Sequence, residues 1–387
     1  MRALLIVLNG VGVGGAPDAA RYRDEGANTL GHLFEYCPDL ELPALFSLGL
    51  GEIMGAGSHT PPAASYGRMR AGSAGKDPTT SHWEIAGIIS HESFANFEKF
   101  PETLVREIEK AANVKFLGND PRSNGTIPNE LASEHLKTGR PILAVSPDSV
   151  MRIYGHEAVI PRARLHEIGR IARKHCNTHR ISRVVAQPLS GAEKQFTPAA
   201  AAREFPTIPP RTILNAISET GLHVDGIGGV DTLFAGSGIT RHYSTPSNEE
   251  ALDFIEQVWD ENHDGLVFAS LGGMGVHGRV RKLRGFGEAL HQFDTWLAGF
   301  LGRIEPEDLL IITGDQGCDP TFPGTGYTRE EVPLLVKYDK RTEPLGIRLT
   351  YTDVAATLAS YFYLREPWRT GAAFFRFPRP KFLPRRY

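Results

Sequence analysis

Cysteine is scarce in this chain. Three residues, Cys37, Cys176 and Cys318, are spread over 387 positions. An odd, widely spaced set excludes a disulfide framework and offers no zinc-ligand spacing, and it fits a reducing compartment. No apolar stretch approaches the ~20 residues of a membrane span. The run from Ala3 to Leu8 is too short for a secretory signal and leads straight into a Gly-rich turn. An excess of one charge is also missing: 42 Lys and Arg stand against 45 Asp and Glu, a net charge of -3. That balance excludes a whole-surface attraction for nucleic acid. The absences predict a cytoplasmic protein with no nucleic-acid or membrane partner.

What is present is a soluble, globular mixture, 41% hydrophobic and 22% charged, too long for one ordinary core. Short apolar runs read as buried strands: Met1 to Leu8 closed by Asn9-Gly10, Leu266 to Leu271 by Gly272-Gly273, Leu309 to Thr313 by Gly314-Asp315, and Val332 to Val336. Helical patterns lie between them, at Glu249 to Trp259 and Phe286 to Leu301. Alternating strands and helices predict an α/β fold with a mostly parallel sheet flanked by helices. In such sheets ligands gather beyond the carboxyl ends of the strands, so the turns after the strands are where chemistry is sought. Residues 92–210 carry their own pattern, with helices at Phe100 to Ala111 and Leu165 to Cys176 and strands at Pro141 to Val145 and Arg183 to Pro188. The Ala- and Pro-rich stretch Thr197 to Pro210 reads as an exit linker. The basic, Pro-rich end, RFPRPKFLPRRY, reads as a solvated or surface-draped tail, with a docking peptide for a partner or acidic surface as the alternative.

Five blocks, in order, run the length of the chain: GVGVGGAPDAARYRDEGANTLGHL from Gly10, YGRMR with GKDPTTSHWEIAG ending at Gly87, GRPILAVSPDSV from Gly139, HEAVIP from His156, and TGDQGCDPTFPGTGYTREEVPLLV from Thr313. Together they resemble the phosphopentomutases of the alkaline-phosphatase superfamily. Those enzymes interconvert ribose 1-phosphate and ribose 5-phosphate with two manganese ions and a phosphorylated threonine. The resemblance implies an alkaline-phosphatase-like core at 1–91 and 211–387 and an inserted α/β cap domain at 92–210.

Two divalent ions about 4 Å apart must be held by several carboxylates, because their mutual repulsion is large. The resemblance implies three aspartates, three histidines and a threonine for this role, and most are replaced here. Asn9 stands for the first aspartate, Pro78 for the nucleophilic threonine, Gln316 and Tyr327 for two histidines. The motif Asp-Phe-Asp-x-x-x-Gly-His reads Leu271-Gly272-Gly273-Met274-Gly275-Val276-His277, one residue short if His277 is its histidine. Asp315 remains. Thr79, Thr80 and Ser81 are neighbouring hydroxyls. The basic grips for sugar phosphate are altered too: Gln187 replaces an arginine, Gly229 a lysine, and Phe196-Thr197-Pro198 lacks the arginines that follow its counterpart. Ser146 and Asp148 remain as candidate ribose-binding residues.

The losses predict a phosphopentomutase-like protein without catalysis, binding a protein partner or a sugar-phosphate or nucleoside-like ligand. No metal cofactor is expected, with Asn9 and Asp315 as the residual positions for a single weak ion and Mn2+ or Mg2+ only if the ligands are rearranged. Asp77, His82, Asp231, His277 and Asp319 are the candidates for such a rearrangement. Two alternatives stay open. One is an enzyme of altered chemistry in the same cleft using Asp315, Asp148 and His277. The other is an active metal-dependent phosphomutase or phosphatase. The basic group Arg279, Arg281, Lys282 and Arg284 reads as a solvated loop or as an anion or partner contact.

Overall fold

The structure is a computed structural model, and it describes residues 1–57, 60–119, 126–146, 149–200, 202–324, 326–365 and 368–377. The chain divides into two compact units, one of Met1–Glu92 with Pro209–Tyr387, the other Ser93–Ile208.

The larger unit is built on an eight-stranded sheet. Its order runs Arg241–Tyr243, His223–Gly228, Gly265–Leu271, Arg2–Leu8, Leu309–Gly314, Val332–Lys337, Ser65–Met69, Pro344–Arg348. The first five strands are mutually parallel, Val332–Lys337 runs antiparallel to both neighbours, and Pro344–Arg348 is parallel to Ser65–Met69. The central strands are buried almost throughout, so they read as continuous apolar runs rather than alternating ones. Their register sets the positions of the turns beyond them: Leu8 lies opposite both Leu271 and Gly314. Asn9, Gly272 and Asp315 therefore leave the sheet side by side at its carboxyl edge.

The helix Leu283–Phe300 covers one face with Phe286, Leu290, Phe293, Leu297 and Phe300, a helical stripe packed in one cluster with Leu4, Ile6 and Leu8. Asn248–Asp260 joins that cluster through Ala251, Leu252, Ile255 and Trp259. The short helix Pro78–Ile85 is buried along most of its length.

The smaller unit holds a second sheet in the order Leu117–Gly118, Ile142–Ser146, Val150–His156, Arg183–Ser190, Thr197–Pro198, with Arg203–Pro206 also paired to Arg183–Ser190. Helices Glu102–Ala112 and Arg162–Cys176 pack together with its apolar residues. The stretch read as a linker is thus partly strand: Arg183 to Ala186 pair antiparallel with Pro206 back to Arg203. Its Ala and Pro content hid backbone pairing made to residues about twenty positions earlier.

Glu84 ties three segments of the larger unit together. Its carboxylate accepts from the Gly72 and Ser73 amides, the Tyr351 amide and the Thr350 hydroxyl, all at 2.7–2.9 Å. A glutamine would turn an amide donor toward these donors. Glu84→Gln should destabilise the fold by roughly 2–4 kcal/mol, read as a lower urea midpoint.

Candidate active site

The carboxyl edge of the sheet supports the site. After Arg2–Leu8 the chain turns at Gly10, whose φ of +83° suits glycine. Glycine is needed for space as well, since a Cβ there would meet Cys318 Cβ at 2.7 Å. The Gly10 amide donates to Asp315 Oδ1 at 2.8 Å. Asp315 is completely buried, and burial pushes its carboxyl up to about 7 despite that bond and the amides of Asp315 and Gln316, with the nearby Asp77 charge adding to the rise. Gln316 is buried beside it: its Nε2 lies 3.5 Å from Asp315 Oδ2, and its Oε1 has no hydrogen-bond partner.

The helix Pro78–Ile85 brings a second group. Asp77 caps it, accepting from the Thr80 amide at 2.9 Å and the Thr80 hydroxyl at 2.6 Å. Pro78 occupies the first helical position, where a missing N–H costs nothing. His82, one turn on, is fully buried, and burial holds it down at about 4, so it is neutral at pH 7. Its Nδ1 lies 2.8 Å from the Pro78 carbonyl and 3.9 Å from Asp315 Oδ2, while Nε2 lies 3.0 Å from Ser270 Oγ. Ser270 Oγ is in turn 3.0 Å from Asn9 Oδ1.

Proton counting constrains this chain of bonds. A neutral imidazole that donates from Nδ1 to a carbonyl must accept at Nε2, so the single Ser270 proton goes to His82. Ser270 then needs a donor from Asn9. Exchanging the two ends of the Asn9 amide, which are equal in size, supplies it and turns Oδ1 away from Ser270.

A third element is the Gly-rich helix Gly273–Arg279, anchored where the Gly273 amide donates to Asn248 Oδ1 at 2.9 Å. It lies close on the strand ends: a Cβ on Gly275 would sit 3.3 Å from the Asn9 carbonyl oxygen and 3.5 Å from the Tyr327 ring, and one on Gly278 would strike Cys318. His277 turns its ring toward Gly285, with Nδ1 buried and without a hydrogen-bond partner. Arg279 lies over the Tyr327 ring, 5.6 Å from its centroid. Arg281 donates to the Pro320 and Thr321 carbonyls.

The other candidates serve elsewhere. Asp319 accepts from the Asn28 amide, Thr321 and His32; burial works against its charge, but these bonds outweigh it and hold it below its usual range. Asp231 belongs to the separate short helix Val230–Leu233. Gln187 donates to the Pro188 and Ala200 carbonyls. Ser146 ends the strand Ile142–Ser146. The Ser146 side chain and all of Asp148 lie outside the described residues, as does the tail from 378 onward.

Among the described residues no three His, Cys, Asp or Glu side chains come together as a metal site. The donors at the strand ends therefore do not fit a pair of divalent ions. The oxygen-bearing groups near the strand ends are the Asp315 carboxylate, the Asn9 amide and the orphaned Gln316 Oε1, with Asp77 close enough for its charge to raise Asp315, and hard divalent ions accept mixed oxygen donors of these kinds.

Residues 1–366 match the family model described as Metalloenzyme superfamily. The chain is 43% identical over 383 residues to a phosphopentomutase of Syntrophotalea carbinolica, covering 96% of this chain and 97% of the relative. It is 43% identical over 384 residues to one from Caldanaerobacter subterraneus subsp. tengcongensis, covering 97% of each. Among solved structures it is similar to the PH0037 protein from Pyrococcus horikoshii, with 16% identity, a TM-score of 0.48, and coverage of 96% of this chain and 98% of that one. The expectation that no cofactor accompanies this fold is overturned by the family model and the curated relatives, which indicate a metal cofactor. Nor do these relatives support the expectation of an inactive protein. Ser270, which links His82 to Asn9, is not among the residues expected from the sequence. A serine inside an apolar run, at the end of a strand that precedes a glycine pair, was the available signal.

Asp315 yields a test of the site. Its folded value near 7 lies above the unfolded 3.8, so ionisation weakens the metal-free fold progressively as pH rises from about 4 to 7, and the penalty is constant above. Asp315→Asn keeps the Gly10 contact and removes the charge. In EDTA at pH 8 it should gain stability on the order of a few kcal/mol, a melting temperature higher by roughly 5 °C. It should also lose any stabilisation by Mn2+ that the native chain shows.

Proposed function

The chain belongs to the phosphopentomutase family within the metalloenzyme superfamily, and from that premise we propose that it is a metal-dependent phosphoryl-transfer enzyme acting on ribose phosphates, with one divalent ion where a pair is usual. The observation that carries this reading is the oxygen set at the strand ends, where the buried Asp315 adjoins the unpartnered Gln316 Oε1. Asp315, Gln316, Asn9 and Asp77 would hold the ion. A divalent ion such as Mn2+ would supply charge neutralisation for a phosphoryl group.

The remaining chemistry falls to the chain's own residues. His82, neutral and locked between the Pro78 carbonyl and Ser270, orients Asn9 rather than carrying a proton. Pro78 has no hydroxyl, so the group that accepts phosphoryl must lie elsewhere. Thr80 is the best-placed side chain: its hydroxyl already donates to Asp77 Oδ2 at 2.6 Å, the geometry in which a carboxylate takes up the proton as oxygen attacks phosphorus.

A second reading is binding of ribose phosphate without turnover, favoured by Pro78 itself. The two are separated by incubating purified protein with ribose 1-phosphate and Mn2+. The enzyme reading expects ribose 5-phosphate or free phosphate to appear, phosphate to be found by mass spectrometry on the segment containing Thr80, and Thr80→Val to lower the rate at least 100-fold. Binding with no product above a no-protein control would leave the second reading and end the first.

A further inference from the structure

Two buried histidines in the smaller unit have every ring nitrogen committed to the backbone. His135 lies in the helix Ala132–Thr138, and His156 ends the strand Val150–His156. His135 Nδ1 stands 2.6 Å from the Arg140 carbonyl oxygen, so it donates, and Nε2 accepts the His156 amide at 2.8 Å. His156 Nε2 stands 3.0 Å from the Gly191 carbonyl oxygen, so it donates, and Nδ1 accepts the Ala158 amide at 3.2 Å. The Phe196 ring lies against both, its centroid 4.7 Å from that of His156 and 6.2 Å from that of His135, and its amide donates to Asn129 Oδ1 at 2.6 Å. Each imidazole therefore carries one proton, and its other nitrogen faces an N–H. The pair joins the helix to the strand end, and the strand end to the turn at Gly191.

We propose that His135 and His156 form an acid-sensitive latch: a second proton on either ring frees the helix Ala132–Thr138 and the turn at Gly191 from the strand end and opens this end of the smaller unit. A proton added at His135 Nε2 confronts the His156 amide, and one added at His156 Nδ1 confronts the Ala158 amide. Either event breaks a backbone contact and leaves two donors face to face. Burial holds His135 below its usual range, donation to the Arg140 carbonyl opposes that only in part, and the neighbouring His156 lowers it further. The charged and titratable groups on the surrounding elements are Glu130, Glu134 and Lys137 on the helices, Arg140 beyond them, Arg152 and Tyr154 on the strand, Glu157 after it, and Glu193 and Lys194 before Phe196. Glu134 is engaged by Arg140, Glu157 by Arg162 and Glu193 by the Ser133 hydroxyl, while Glu130, Lys137 and Lys194 are exposed. Arg152 bonds the Tyr154 hydroxyl, which burial pushes up and so keeps neutral in this range. The charge that bears on His135 is that of His156. Because the unfolded ring takes up its proton first, near 6.5, the latch holds fully above about pH 6.5 and weakens as pH falls below it.

The test uses the full chain and hydrogen exchange read by mass spectrometry at pH 7.5 and pH 5, corrected for the intrinsic pH dependence of exchange. Segments 153–160 and 188–198 should lose protection at pH 5 by roughly tenfold relative to the strands Arg2–Leu8 and Leu309–Gly314 of the larger unit. His135→Gln combined with His156→Gln keeps a donor and an acceptor at each place and cannot titrate, so protection of those segments should be the same at both pH values. Should the doubly substituted chain not fold, judged by circular dichroism at pH 7.5, the histidine 15N shifts of the native chain carry the test. His135 should then be the Nδ1–H tautomer and His156 the Nε2–H tautomer at pH 7.5, and either ring should become charged only as the local protection is lost. No loss of protection at pH 5, an equal loss across both units, a full acid response in the doubly substituted chain, or the opposite tautomers overturns the proposal.

Discussion

Charge placed beyond the reach of water governs this structure. Asp315 sits at the end of a central strand with no exposed surface, and the amides of Gly10, Asp315 and Gln316 offset only part of its lost hydration. His82 stands 3.9 Å away and is equally buried. In water the two groups would carry opposite charges between about pH 4 and pH 6.5. Here burial drives the two in opposite directions, His82 down to about 4 and Asp315 up to about 7. Between those values both are neutral, and above them only the carboxylate is charged. A buried carboxylate with a neutral imidazole beside it is a poor resting state and a good cation site.

The approach of backbone to backbone around that carboxylate depends on small residues. Gly10 and Gly278 press on Cys318 at distances that admit no further atom, and Gly275 lies closely over the Asn9 carbonyl. This packing brings Gly273–Arg279 down onto the strand ends and determines where Arg279 emerges. Farther out, buried carboxylates hold the loops that frame the site. Glu330 accepts from the Gly14 and Thr29 amides and from the Thr29 and Thr328 hydroxyls, so the turn after the first strand and the loop bearing Tyr327 share one anchor. Burial raises the Glu330 carboxyl, yet four donors around it keep the cost of its charge tolerable.

Much of this was legible in the sequence. Apolar runs closed by Asn-Gly, Gly-Gly and Gly-Asp pairs gave the three central strands, and their register brought Asn9, Gly272 and Asp315 together. The paired strands Thr197–Pro198 and Arg203–Pro206 were not legible, because composition says little about an edge strand whose partner lies upstream. His277 drew attention as a histidine near the expected place, yet residue type alone does not fix which side chain leaves a short helix toward the site. The bonds joining His82 to Ser270 and Ser270 to Asn9 span 188 and 261 positions, beyond any local pattern.

Counting formal charge weighs one ion against two. Asp77 and Asp315 bring two negative charges to the strand ends. Two dications would leave a surplus of two positive charges in a site with little water, where repulsion at about 4 Å is severe even at an effective dielectric near 20. One dication is balanced by the two carboxylates, so the ion-loaded site carries no net charge before a phosphate arrives.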